Sequence, residues 1–332
     1  MKITSLLLGL TLTTIPVWAG SLPESVPLPE AAVTAGPTAT VTPFLTGLKE
    51  PQGMALNKYG NILVCDYGAG AILRFSQEGK PMGAVSTDLK GPAQMVTFPF
   101  PPWTSIGVPP ADYVTLVTLP KVNQVWVVQI QLVPSPSTSI YPLNGEIDEP
   151  VGLVDGALGL LAVSRSTSQI YRWKEPPAPI PHIGNIPLIS LFRSRKRPPT
   201  RLSADGKWEL FYAPKTEGER YGFGGIVSDD EACFMSDDVG QQVLRLTDSF
   251  VEGTRLVPFA TGIPKPSGLA IGPDKMIYVA NEGDGGQLLR LDAQGRKSVV
   301  AEKLGRPSGV LFLDAKTVLV SNRDGNVWKV QW

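Results

Sequence analysis

The chain is poor in the residues from which most metal and nucleophilic sites are made. It has one histidine, His182, and two cysteines, Cys65 and Cys233, in 332 residues. A single imidazole excludes multi-histidine metal sites. A Ser-His-Asp arrangement would have to recruit His182 from the proline-rich stretch PPAPIPHIGNIP (176–187), so His182 reads as a surface residue. Charge is scarce and balanced: 18% of residues are charged, with 30 basic against 30 acidic. Such a chain has no global field with which to gather nucleic acid or an anionic membrane. After the N-terminal segment, no apolar run approaches the roughly 20 residues a membrane-spanning helix needs.

What the chain has in quantity is turn residues. Its 34 glycines and 32 prolines beside 42% apolar content suit many short strands joined by tight turns. Residues 1–19, MKITSLLLGLTLTTIPVWA, carry a lysine, then a short apolar run, then the small residues Val17 and Ala19. This is the pattern of a secretory signal peptide, and it predicts a secreted or periplasmic protein. Residues 20–37 are rich in Pro and Ala with few large apolar groups, which predicts an extended leader that does not pack.

From residue 38 onward one unit is written several times. PQGMALNKYGNILVCD from Pro51, PVGLVDGALGLLAVSR from Pro150, PSGLAIGPDKMIYVAN from Pro266 and PSGVLFLDAKTVLVSN from Pro307 share a Pro-x-Gly start, a short apolar strand, a turn and a second apolar strand. Third strands follow as AILRF, QIYRW, QLLRL and NVWKV, and fourth strands as in PFATGI (258–263) and SVVAEKL (298–304). A degenerate copy begins at Phe223. A more altered one begins at Pro92, with YVTLVTL and QVWVVQI as its second and third strands. Gly225, Gly268 and Gly309 lie 43 and 41 positions apart, within the period of four-stranded propeller blades.

One such sheet cannot stand alone, because ordering each residue costs ~1–2 kcal/mol and both its faces meet water. Blades stacked about an axis cover each other's faces, which accounts for the nearly continuous apolar second strands. Glycine in the first strand fits the crowding of inner strands at the hub. The expectation is therefore an all-β, six-bladed propeller over 38–332, with insertions at 98–113 and 174–222; a seventh blade inside 174–222 is the alternative count. The last copy has three strands, and TATVTPFLTGL (38–48) has the outer-strand pattern, so it is expected to complete the last blade. Cys65 and Cys233 then fall in opposite blades, too far apart for a disulfide, and read as buried free thiols.

In its Pro-x-Gly start, apolar second strand and (I/L)-x-R-(F/L/W) third strand, the chain resembles NHL-repeat propellers. It is similar also to the broader group holding regucalcin, gluconolactonases and strictosidine-synthase-like proteins. That resemblance covers 38–332 and implies a six-bladed propeller, with lactone or ester hydrolysis as one activity. In lactonases of this kind a divalent metal on the axis is held largely by the middle position of the Pro-x-Gly segment. Here that column reads Gln52, Ala93, Val151, Gly224, Ser267 and Ser308. It holds no carboxylate, so calcium is not supported and no cofactor is expected.

The loops entering the first strand and leaving the second open on one face, and their residues should line a mouth. Candidates are Asp66, Arg165, Asp238, Asn281 and Asn322 at second-strand ends, with Glu50, Glu149, Lys265 and Arg306 before the first strands. The favoured expectation is a binding protein for a small polar ligand, glycan or protein partner. The alternative is a hydrolase using Asp66 and Asp238. Against both stands the habit of Asp and Asn at strand ends of tying down turns. The third-strand cations Arg74, Arg172, Arg245, Arg290 and Lys329 are expected to lie along neighbouring sheets. NEGDGG (281–286) and NRDG (322–325) are too short for EF-hand loops and read as turns. FPFPPWTSIGVPPADY (98–113) has the composition of an apolar flap or partner surface, and FRSRKRPPTR (192–201) that of a solvated turn able to meet an anionic surface.

Overall fold

A computed structural model describes residues 34–35, 39–98, 113–131, 137–156, 158–174, 182–183, 186–187, 206–216, 218–229, 231–249 and 253–332. All belong to the compact unit Ala32–Trp332. The readings of 1–19, of 192–201 and of the interior of 98–113 fall outside the described residues.

Among the described residues, six four-stranded antiparallel sheets follow one another as the blades of a propeller. Blade 1 runs from Pro51 to Ser86, blade 2 from Met95 to Pro142 and blade 3 from Pro150 to Tyr212. Blade 4 runs from Phe223 to Thr261, blade 5 from Pro266 to Glu302 and blade 6 from Pro307 to Gln331. The fourth strand of blade 6 comes from the other end of the chain: Thr40–Leu45 pairs antiparallel with Asn326–Gln331. Two residues of the leader, Thr34–Ala35, also pair, in parallel with Ser298–Val299 of blade 5, where the composition had suggested no packing. The insertion expected at 174–222 is shorter than its bounds. Lys207–Tyr212 is the outer strand of blade 3, pairing with Ile170–Lys174, and no seventh four-stranded blade forms among the described residues.

The second strands show why the apolar runs are continuous. Leu63 and Cys65 pack on Tyr113, Val117 and Val128 of blade 2, while Ile62 and Val64 pack with Leu319 and Val327 of blade 6. In blade 5, Ile277 and Val279 meet Phe234 of blade 4, and Tyr278 and Ala280 meet Val318 and Val320 of blade 6. Successive side chains point to opposite faces of a strand, and here both faces are covered by a neighbouring sheet, so alternation with polar residues disappears. The same pairing of neighbours joins blades 2 and 3 and blades 3 and 4, so the apolar seams run around the whole ring.

The Pro-x-Gly start is a bulge. Register shifts fall between Pro51 and Met54, Pro150 and Gly152, Phe223 and Ile226, Pro266 and Leu269, and Pro307 and Gly309. The bulge turns the inner strand toward its neighbour. Gly53 N–H donates to Ala93 O at 2.7 Å, Ser308 Oγ donates to Pro51 O at 2.9 Å, and Ser321 Oγ donates to Gln52 O. A Cβ on Gly53 would lie 2.6 Å from Ala93 O, and one on Gly268 or Gly309 would strike the next inner strand's backbone. Glycine is there because the hub leaves no room for a side chain, as the crowding argument requires.

Candidate functional site

Pairing register separates the second-strand ends into two columns. Pro51 faces Asp66, Pro150 faces Ser164, Phe223 faces Asp237, Pro266 faces Asn281 and Pro307 faces Asn322. The column expected from sequence therefore mixed two positions: Arg165 and Asp238 stand one residue beyond it. The reason is that blades 3 and 4 end their second strands in Ser164 and Asp237, and a window counted from Pro-x-Gly does not reveal where the bulge adds its residue.

The first column is structural. Asp66 is 2% exposed and accepts the backbone N–H groups of Lys49, Glu50 and Ala69. Asp237 accepts from Gly222 N–H at 2.7 Å and from Gln242 Nε2 at 2.9 Å. Asn281 accepts from Lys265 N–H and Gly283 N–H, and Asn322 accepts from Asp324 N–H while donating to Leu304 O. Each ties the loop entering its blade to the turn leaving the second strand. Asp66, Asn281 and Asn322 therefore meet no common open point, and Asp66 has no free oxygen with which to serve as the base of a hydrolase.

The second column lines the mouth. It reads Tyr67, Arg165, Asp238, Glu282 and Arg323, and each backbone N–H donates to the carbonyl of the residue just before the first strand of its own blade: Glu50, Glu149, Gly222, Lys265 and Arg306. Those bonds hold the two loops of blades 1 and 3 to 6 side by side at the rim. Arg165 reaches from blade 3 to blade 4, where it pairs with Asp238 and donates to Phe223 O at 3.3 Å. Asp238 in turn fills the space over Gly222 that a side chain there would take. Glu282 pairs with Lys265 at 3.1 Å and with Arg323 of blade 6 at 3.7 Å. Arg306 pairs with Asp324 at 2.7 Å. Tyr67, Glu282 and Arg323 were missed from sequence; only the register, not residue type, marks them.

The rim charges of blades 4 to 6, with Arg165 of blade 3, are thus paired among themselves, whereas Glu50 of blade 1 and Glu149 of blade 3 are not. A cavity of about 290 Å³ opens there, lined among others by Glu50, Tyr67, Glu149, Arg165 and Arg323. Glu50 accepts one hydrogen bond, from Gln52 Nε2 at 3.3 Å. Glu149 sits in a left-handed backbone conformation (φ 43°) and is held there by its own N–H, which donates to Asn123 Oδ1 at 3.0 Å. Neither carboxylate has a cationic side chain in ion-pair reach among the described residues. Burial raises the Tyr67 pKa, and the charges of Glu50 and Glu149 add to that, while Arg323 opposes them. The phenol stays protonated at neutral pH.

Below the mouth, a cavity of about 40 Å³ lies on the axis between Gln52, Gln94, Ser267, Ser308 and backbone of the inner strands, with Arg323 at its edge. Its side chains are neutral apart from that arginine. Among the described residues no three His, Cys, Asp or Glu side chains cluster as metal ligands. A hard divalent cation needs six to eight oxygens, usually with carboxylates among them, and the hub does not fit one.

Compared with solved structures, the described fold matches a putative gluconolactonase with a TM-score of 0.60 at 12% identity, over 91% of this chain and 97% of that one. It matches a gluconolactonase of Xanthomonas campestris with a TM-score of 0.60 at 9% identity, over 88% and 89% of the two chains. Virginiamycin B lyase of Staphylococcus aureus matches with a TM-score of 0.54 at 13% identity, over 89% and 99%. These likenesses show the fold, a six-bladed propeller. No protein-family model and no curated protein matches the chain.

The remaining predicted features are placed by the same topology. Hairpins between first and second strands and between third and fourth strands lie at the ends of the blades away from the mouth. Phe98 and Tyr113, which flank one insertion, and Lys174 and Gly206, which flank the other, are therefore on the opposite face. The third-strand cations lie along the sheets: Arg172 over Phe211 at 4.5 Å, Arg245 over Phe234 at 5.9 Å, and Arg290 beside Asp274 at 3.3 Å. His182 pairs in a two-residue strand with Pro187.

Proposed function

We propose that the protein binds a small polar ligand at the mouth of its propeller, in the lobe bounded by blades 1 to 3. The observation that carries this reading is the cavity of about 290 Å³ holding Glu50 and Glu149 without cationic partners, beside Tyr67. Two solvated carboxylates facing one cavity are an arrangement that packing does not require, whereas every other strand-end acid of the rim is used within the fold. A cavity of this size with a few convergent polar groups is the usual form of a small-molecule site. Binding by the wild-type protein of a polyol, amine or carboxylate fragment that is lost in the Glu50→Gln/Glu149→Gln double variant supports it. A fragment set that binds equally well to both proteins overturns it.

A second reading, hydrolysis of a lactone or ester, is favoured by the same pair of carboxylates and by the architecture shared with gluconolactonases. One carboxylate would take a proton from water as the other holds the substrate. It rests on Glu50 and Glu149 in place of Asp66 and Asp238, and it calls for no metal. Turnover of a lactone panel that disappears in Glu149→Gln would establish it. Export is also part of the proposal, on the pattern of residues 1–19; a mature protein beginning at Gly20 in a secreting host is the expected product.

A further inference from the structure

We infer that the ligand of the mouth carries an ammonium group, which settles in the cavity that Glu50, Tyr67 and Glu149 line together. The inference rests on the binding reading above and adds the chemical class.

The ring of Tyr67 already holds a cation. Lys121 Nζ lies 4.2 Å from its centroid, in the range where an ammonium is attracted by the negative face of an aromatic ring. Gly91 makes that stacking feasible: it has φ 68°, and a Cβ there would lie 2.7 Å from Tyr67 Cε2 and 3.0 Å from Lys121 Cδ. The ring, the lysine stem and the glycine backbone form one layer at the rim.

Lys121 is exposed and belongs to a single turn of helix, Pro120–Val122, so its ammonium can leave the ring without disturbing the sheet. Glu50 and Glu149 act on the Tyr67 phenol from the same cavity. An ammonium in that cavity therefore meets an aromatic ring and two negative charges. The two arginines of the cavity do not cancel those charges: Arg165 is held by Asp238, and Arg323 is shared with Glu282. A ligand anion would have to approach two carboxylates to reach either guanidinium. A neutral ligand would leave the carboxylates uncompensated. The ammonium is the one group that completes the electrostatics of this lobe.

Saturation-transfer NMR with size-matched probes tests the class: n-butylammonium, tetramethylammonium, butyrate and erythritol, against wild type and variants with unchanged melting temperature. Both ammonium probes are expected to bind, with an affinity lowered at least tenfold in E50Q/E149Q and in Y67L. Lys121→Met should tighten n-butylammonium binding severalfold, because it removes the like charge that sits on the Tyr67 ring. If butyrate or erythritol binds in an E149Q-sensitive manner and the ammonium probes do not, the mouth is a ligand site of another class and this inference falls alone. Weaker or unchanged ammonium binding in K121M overturns the inference. If no probe contacts Tyr67 at tens of millimolar, the binding reading falls with it.

Discussion

At the residue scale, the same residue type at neighbouring positions has opposite duties. Asp66 gives its oxygens to three backbone N–H groups, and its removal leaves those donors buried beside the loop that carries Glu50. Asp66→Ala is expected to cost about 2–3 kcal/mol, the order of an unsatisfied buried polar group, read from urea unfolding. Asp66→Asn should cost less than Asp66→Ala, because the amide oxygen can keep the Glu50 and Ala69 bonds as Asn281 does in blade 5, while the Lys49 N–H loses its acceptor. A catalytic Asp66 would behave otherwise: its Asn variant would fold well and lose all turnover. Acid sensitivity belongs to this scale too. A hydrogen bond from Arg306 lowers the pKa of Asp324, and one from Tyr221 lowers that of Glu219. Depressed folded-state pKa values mean that the unfolded chain binds more protons. The stability these groups supply is full above the ordinary carboxylate range and is lost as pH falls through their lowered values. Urea midpoints should thus be flat near neutrality and drop below about pH 4, with a shallower drop in Asp324→Asn.

At the element scale, the inner strand is set by what the hub excludes. Gly268 and Gly309 have ordinary backbone angles, yet a methyl on either would collide with the backbone of the adjoining inner strand. Gly268→Ala is expected to destabilise by about 1–3 kcal/mol through overpacking. The loss should show as a lowered thermal midpoint with secondary structure retained below it. This element was legible in the sequence because Pro-x-Gly recurs with its spacing and each apolar run has two covered faces. The rim was legible only in part. A repeat window counts residues, whereas the bulge between Pro and the ladder decides which residue faces the turn and which faces the mouth. Hence Arg165 and Asp238 were found for a neighbouring column, and Tyr67, Glu282 and Arg323 were passed over. Blade 2 shows the same limit: its start lacks the Pro-x-Gly pattern, its ladder runs without a bulge from Met95, and its rim position is Pro120.

At the scale of the whole molecule, the ring unites the two ends of the described chain. Thr40–Leu45 supplies the outer strand of blade 6, with Leu45 buried against the seam to blade 1. A chain starting at Ala39 is expected to unfold cooperatively, as the longer one does. A chain starting at Thr46 leaves the edge of Asn326–Gln331 unpaired and should aggregate or melt well below it, as light scattering and circular dichroism would record. Cys65 and Cys233 lie in blades 1 and 4, both buried. Burial, with the charge of Asp66 beside it, pushes the Cys65 thiol up, so it stays protonated and unreactive. Neither cysteine should react with a maleimide on the hour scale until denaturant is added, and no disulfide should appear under oxidation.

The sequence by itself determined the architecture, because a repeated sheet whose faces are both apolar can be buried only by copies of itself, and about 42 residues per copy specify four strands. It also determined that the hub lacks the carboxylates a hard cation needs. Only the tertiary structure decided which charges are spent within the rim and which are left over. That depends on side chains from different blades, such as Arg165 and Asp238 or Glu282 and Arg323, coming into ion-pair reach across the ring, a distance that no spacing along the chain encodes.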